Sequence, residues 1–379
     1  MTVAALEDAL RPGFLAGDVG PPHGGPQLTT HLLSNTGSAG GVPNRTEKNV
    51  KRTLGRSGIE VSAVGMGCWA IGGPWAMLGF QAGWGKAVDD DEAVRAIHAA
   101  MDRGVNFFDT AANYGAGHSE RVVGRALKGR RDRAVISTKF GYNVDEATKE
   151  ITAYGASEEE SDVAPHIRSN LEESLRRLDT DHVDVYLLHV WGLTLDRAFA
   201  ARNVLEELVA EGKVRTYGWS TDRPDAIEAF STSPRCGVAE QELNIFSGNP
   251  EVLSLTQRLN LASINRSPLG MGVLTGKLAP NSKWAEGDVR KEVAWFAGIK
   301  DGSPNADWLA ALDSIKGILT SGGRTVAQGA LAWIWGRSPN TIPIPGFRTV
   351  AQVQENARAM EFGPLTADQM AEIDRILGR

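Results

Sequence analysis

Two kinds of hydrophobic pattern alternate along most of the chain. Short runs rich in Val, Ile, Ala and Phe at 62–66, 105–108, 134–138, 183–188, 214–219, 237–241, 261–266 and 341–344 predict eight strands. Between them, the stretches 90–103, 119–128, 164–178, 196–211 and 308–320 repeat apolar residues every three or four positions, the mark of an amphipathic helix. In 164–178, for example, Ile167, Leu171, Leu175 and Leu178 make one stripe. Strands that alternate with helices imply a parallel α/β sheet. Eight such units over about 300 residues suit a closed (β/α) TIM barrel better than an open sheet.

Additions flank this core. Arg52–Leu54, a Gly-Arg-Ser-Gly turn at 55–58 and Ile59–Val61 predict an N-terminal hairpin. Helices at 349–361 and 366–377 follow the last strand, and Trp333 and Trp335 sit in a helical stretch as core. The connections 67–88, 140–162 and 277–306 are too long for plain linkers and read as lids or binding walls. Residues 1–48 hold Pro-Pro-His-Gly-Gly-Pro at 21–26 and Ser-Ala-Gly-Gly at 38–41 with little periodicity, and read as a flexible N-terminal extension. The barrel domain is then 49–379.

With 379 residues, 42% hydrophobic, one large core is within reach. A formal net charge of −6 and the absence of a long Lys/Arg run argue against a nucleic-acid partner. Cys68 and Cys236 are the two cysteines, which make no disulfide framework and fit a reducing compartment, the cytoplasm by default. No apolar run approaches the roughly 20 residues that span a bilayer, so a membrane is not an expected partner. No coiled-coil pattern fixes an oligomeric state.

In a barrel of this kind, reactive groups stand where strands end and the following loops begin. Three consecutive predicted strands bring four: Phe107-Phe-Asp109-Thr-Ala-Ala-Asn-Tyr114, Ser137-Thr-Lys139 and Leu187-Leu-His189. Neighbouring strands lie about 4.8 Å apart, so Asp109, Tyr114, Lys139 and His189 should converge. An ammonium beside a phenol favours the phenolate and eases proton donation; Asp109 would hold Lys139, and His189 would bond a substrate carbonyl. No side chain supplies a hydride, which calls for a nicotinamide. Each residue alone has a blander reading: Asp109 as a helix cap, Lys139 as a strand-end charge, His189 as a satisfied core histidine. His182, in a turn, belongs on the surface.

The segments Gly104-Val-Asn-Phe-Phe-Asp-Thr-Ala-Ala-Asn-Tyr114-Gly, Ser137-Thr-Lys139-Phe-Gly and Ser174-Leu-Arg-Arg-Leu-Asp-Thr-Asp-His-Val-Asp-Val-Tyr-Leu-Leu-His189 resemble the aldo-keto reductase family, with the match running from about Arg52 to Leu377. The resemblance implies a barrel enzyme that uses NADPH to interconvert an aldehyde or ketone, or a sugar, and its alcohol. In it Tyr114 is the general acid, Asp109 and Lys139 tune it and His189 positions the carbonyl. No Gly-x-Gly-x-x-Gly motif opens a strand-helix unit, so the barrel mouth must bind the cofactor. Gly346 permits close backbone approach, and a helix N-terminus beside Arg348 is an anion site. By resemblance Arg348 meets the 2′-phosphate, Gln352, Glu355 and Asn356 lie by the adenosine end, and the Ser267-Pro268-Leu269-Gly270-Met-Gly272 loop covers the pyrophosphate. Ser220 and Gln241 match residues that hold the nicotinamide carboxamide.

Two departures stand out. Thr221 replaces a frequent Asn, and Arg266 replaces an aromatic that stacks on nicotinamide. Five tryptophans, Trp69, Trp75, Trp84, Trp191 and Trp219, lie in or beside mouth loops, with Trp69 and Trp191 as candidate substrate contacts. The alternative to catalysis is an NADPH-binding redox sensor or regulatory subunit of the same fold. A metal-dependent hydrolase ranks last, since clustered ligand motifs are missing from the sequence.

Overall fold

The computed structural model describes residues 51–77, 79–85, 88–293 and 296–379. The expected extension at 1–48 lies outside them. Eight parallel strands pair in chain order: β1 (Met66–Gly67), β2 (Phe107–Asp109), β3 (Val135–Phe140), β4 (Val183–Leu188), β5 (Val214–Ser220), β6 (Cys236–Asn244), β7 (Ala262–Arg266) and β8 (Thr341–Pro343). The sheet closes on itself. Gly67 bridges Gly346 in parallel, and the amides of Gly65 and Gly67 donate to the carbonyls of Pro343 and Pro345 at 3.0 and 3.1 Å. The chain forms the expected barrel.

The crossover helices are α1 (Asp90–Asp102), α2 (His118–Leu127), α3 (Ile167–Leu178), α4 (Leu195–Ala210), α5 (Pro224–Phe230), α6 (Pro250–Arg258), α7 (Ala306–Leu319) and α8 (Val326–Arg337); α9 (Val350–Arg358) and α10 (Ala367–Ile376) follow the last strand. The stripe of α3 is used as its spacing implies, with Ile167, Leu171 and Leu178 fully buried. The short helices α5 and α6 were not expected from periodicity. Each opens on a proline in its first turn, and Asn249 caps α6 by accepting from the Glu251 amide at 2.9 Å.

Strand alternation sorts side chains between two cores. Phe107, Val135, Val185, Leu187, Val238, Ile264 and Ile342 fill the barrel interior, and the hairpin Lys51–Thr53 with Glu60–Ser62 closes its foot with Leu54, Ile59 and Val61. The opposite faces pack against the helices. This sorting corrects the first strand. The apolar run 62–66 is divided: Val61 plugs the barrel, Ala63 and Val64 join the helical layer, Ser62 ends the hairpin and the barrel strand begins only at Met66.

Two of the long connections build one structure at the mouth. Phe80–Gln81, Ala76–Met77, Glu150–Thr152 and Asn143–Asp145 pair in that order into a four-stranded sheet. The third, 277–306, carries the hairpin Ile299–Lys300 and Ser303–Pro304. It meets the first connection where the Gly85 amide donates to the Gly287 carbonyl at 2.8 Å. Among the described residues no helix is long and apolar enough to cross a membrane.

Candidate active site

Continuing each interior row by two residues carries it from apolar core to polar mouth. Phe107 leads to Asp109, Ser137 to Lys139, Leu187 to His189, Gly218 to Ser220, Val238 to Glu240 and Ile264 to Arg266. The strand tips therefore gather a ring of polar groups above a largely apolar interior. Lys139 is fully buried; its ammonium donates to Asp109 Oδ2 at 2.5 Å and to the Thr110 carbonyl at 3.1 Å, and stands 3.5 Å from the Tyr114 hydroxyl. The Tyr114 and His189 rings meet edge to face, with centroids 5.9 Å apart. All four side chains singled out in the sequence thus lie together.

The blander readings fare unevenly. Asp109 caps no helix, since Gly117 occupies that position before α2. Buried His189 Nδ1 has no hydrogen-bond partner, unlike a satisfied core histidine. His182 bonds Asp181 at 2.7 Å at a partly exposed turn, as expected.

Burial governs the titrations. Desolvation, then Glu240, pushes Asp109 up to about 7 against the pull of Lys139. Lys139 is raised despite desolvation, because Asp109 and Glu240 both favour its charge. Desolvation raises Tyr114 more than Lys139 lowers it, so the phenol keeps its proton at neutral pH. Desolvation, Lys139 and Arg266 hold His189 well below its ordinary value, as neutral imidazole.

One group escaped the sequence reading. Glu240 is 1% exposed; Oε2 lies 3.3 Å from the Lys139 ammonium, and Oε1 accepts from Ser220 Oγ at 2.9 Å. Gln241, the expected neighbour of Ser220, is one residue further and faces the other way. Its amide donates to Ser263 Oγ at 2.7 Å, on the face where Ala239 packs against Ile227, Val252 and Leu255 of the helical layer. Alternation with period two removes Gln241 from the mouth and puts Glu240 there.

Backbone geometry fixes the Tyr114 segment. Gly115 has φ +65°, and a Cβ there would fall 1.8 Å from the Gly72 carbonyl oxygen. Gly115→Ala is expected to lower the melting temperature and displace Tyr114, by about 1–3 kcal/mol of strain. A thermal melt unchanged from wild type would show that the loop relaxes freely.

The remaining expected residues line the same end. Ser267, Gly270 and Gly272 have φ of 52°, 55° and 101°, so the loop Ser267-Pro268-Leu269-Gly270-Met-Gly272 is held in left-handed conformations suited to close backbone approach. Gly346 is exposed, and nothing comes nearer than 4.0 Å to a Cβ built on it. Arg348 is exposed beside Gly85. Asn356 donates to the Gly346 carbonyl at 3.4 Å, and Glu355 pairs with Lys277 at 2.7 Å. Gln352 completes a capping box with Thr349, so its side chain is engaged at the start of α9. The Val350 amide at that same terminus donates to Glu92 Oε1 of α1 at 2.9 Å.

The tryptophans divide. Trp69 packs against Trp84 and Tyr114, with centroids 5.2 and 6.3 Å away, and Trp191 lies 5.4 Å from the Arg266 guanidinium. Arg266 also pairs with Asp222 and, at 3.3 Å, with Glu242. Trp75 and Trp219 are core; the Trp219 indole donates to the Val190 carbonyl at 3.0 Å.

Residues 63–377 match the model of the Aldo/keto reductase family. The chain is 30% identical over 339 residues to a probable voltage-gated potassium channel subunit beta of Oryza sativa subsp. japonica, covering 85% of this chain and 94% of that protein. Among solved structures, the glycerol dehydrogenase AKR11B4 from Gluconobacter oxydans is 29% identical with a TM-score of 0.71, over 88% of this chain and 96% of that one. An aldo-keto reductase from Klebsiella pneumoniae, in complex with NADPH, is 26% identical with a TM-score of 0.62, over 86% and 95%.

Proposed function

Since the chain belongs to the aldo/keto reductase family of NAD(P)H-dependent oxidoreductases, we propose that it interconverts an aldehyde, ketone or sugar and its alcohol, with Tyr114 as the proton donor and NADPH as the hydride source. The observation that carries this reading is the Lys139 ammonium, held at 2.5 Å by Asp109 and 3.5 Å from the Tyr114 hydroxyl.

The chain's own groups suit the proton half of the reaction. Tyr114 enters protonated, the form a reduction needs, and Lys139 offsets the charge left on its oxygen once the proton has gone. Asp109 fixes the ammonium in place. His189, neutral, can donate one hydrogen bond to the substrate oxygen and so aim it at Tyr114. Trp69 and Trp191 wall the substrate side.

A nicotinamide supplies the hydride when bound. The open ground over Gly346 and the left-handed backbone at Ser267–Gly272 fit a dinucleotide. Ser220 would hold its nicotinamide end, Ser267, Pro268, Leu269, Gly270 and Gly272 the pyrophosphate, and Arg348, Gln352, Glu355 and Asn356 the adenosine end. Glu92 already fills part of the α9 terminus, which leaves Arg348 as the chief phosphate ligand. Arg348→Ala should then weaken NADPH roughly 10- to 100-fold, as for a lost charge-assisted hydrogen bond, and leave NADH almost unchanged. Equal losses for both cofactors would undo the phosphate assignment.

The direct test is a panel of carbonyls and sugars with NADPH, following the loss of reduced-nicotinamide absorbance. Turnover of any of them supports the enzyme. The likeness to a channel subunit favours a second reading, an NADPH-binding sensor; tight NADPH binding with no turnover across the panel would select it.

A further inference from the structure

We propose that the Glu240 carboxylate lies against the nicotinamide end of the bound cofactor and makes the site prefer the oxidised, cationic form. The inference rests on the NADP(H) reading above and concerns a residue that reading does not need.

Three observations converge. The first is place. Glu240 shares the interior row of β6 with Val238, is bonded to Ser220, and reaches within 3.3 Å of Lys139, itself 3.5 Å from Tyr114. A hydride donor must stand beside the carbonyl that Tyr114 protonates, so its ring comes within a side chain's length of Glu240. The second is spare acceptor capacity: Oε2 is buried and, beside its ion pair with Lys139, accepts no hydrogen bond, whereas a carboxamide NH2 offers a donor.

The third is charge. Asp109, Tyr114, Lys139 and Arg266 interact with Glu240 from the surrounding elements, and Cys68 and His189 interact with the same Lys139. Cys68 and Tyr114 are raised and His189 is lowered, so all three are neutral at pH 7. Arg266 is matched by Asp222 and Glu242. That leaves one ammonium between two carboxylates, Asp109 and Glu240. The pocket carries surplus negative charge whenever both are ionised, and a cation beside it relieves the surplus.

The consequence follows from the balance of the reaction. A bound dihydronicotinamide would supply the hydride to the carbonyl carbon, leaving the ring cationic, while Tyr114 gives its proton to the carbonyl oxygen. Favouring that cation favours hydride departure and tightens NADP+ relative to NADPH.

The experiment is a tryptophan-fluorescence titration of NADP+ and NADPH with wild type, Glu240→Gln and Glu240→Asp. Glu240→Gln should weaken NADP+ relative to NADPH by roughly tenfold, while Glu240→Asp, which keeps the charge, should retain most of the preference. In wild type the preference for NADP+ should grow between about pH 6 and about pH 8 as Asp109 ionises, a readout that stands even if neither variant folds. An unchanged NADP+ to NADPH ratio in Glu240→Gln, or a wild-type ratio flat with pH, overturns the inference while leaving the cofactor reading intact. Wild type that binds neither nucleotide overturns both.

Discussion

Tyr114→Phe is expected to bind NADPH like wild type and to lose roughly 10²- to 10⁴-fold in turnover, the usual contribution of a positioned general acid. The separation is possible because the substitution removes one oxygen and little else. The ring still packs beside Trp69, and the Lys139 ammonium, 5.1 Å from its centroid, keeps its bonds to Asp109 and Thr110. Binding therefore has no reason to change. The loss should appear in kcat for every substrate, because the proton is needed whichever carbonyl is bound. Turnover within a few-fold of wild type would remove Tyr114 from the chemistry and return the phenol to packing.

That the four groups meet could be read from the chain because each follows a fully buried strand, where pattern, direction and length agree. Phe107, Ser137 and Leu187 point inward and leave Asp109, Lys139 and His189 two steps on at the rim. The resemblance led to Gln241, whereas the facing of β6 turns Glu240 toward Lys139 and Gln241 toward Ser263. Residues 236–244 are buried on both faces, with Cys236, Val238 and Ala239 all apolar, so the sequence lacks the polar alternation that would have told inward from outward. A buried carboxylate also looks like a surface charge until its partner is known, and Lys139 comes from a strand about a hundred residues earlier. The helix α8 has ten buried residues in succession, so no stripe marks it, and α5 and α6 are too short for one. The mouth sheet was illegible for a different reason: its strands are two or three residues long and join connections far apart in the chain.

Lys139→Met should cost about 3–5 kcal/mol of folding stability near neutral pH, the loss typical of stripping one partner from a buried ion pair. Methionine fills the space, so the deficit is electrostatic: Asp109 and Glu240 are left facing each other with exposures of 2% and 1% and no counter-charge. The pH dependence separates this from bad packing. In wild type Asp109 already titrates near 7, above its unfolded value, so its contribution to stability is fully present at low pH and fades as pH rises through 7. Without the ammonium, whose charge pulls it down, Asp109 rises further, and the fading deepens. Urea unfolding should therefore show a modest deficit at about pH 5, where protonation relieves the pair, and the full deficit at about pH 8. Adding Asp109→Asn to Lys139→Met should restore part of the stability at the higher pH by removing one of the two charges. A deficit of equal size at both pH values, untouched by the second substitution, would mean that the ammonium fills space and balances no charge.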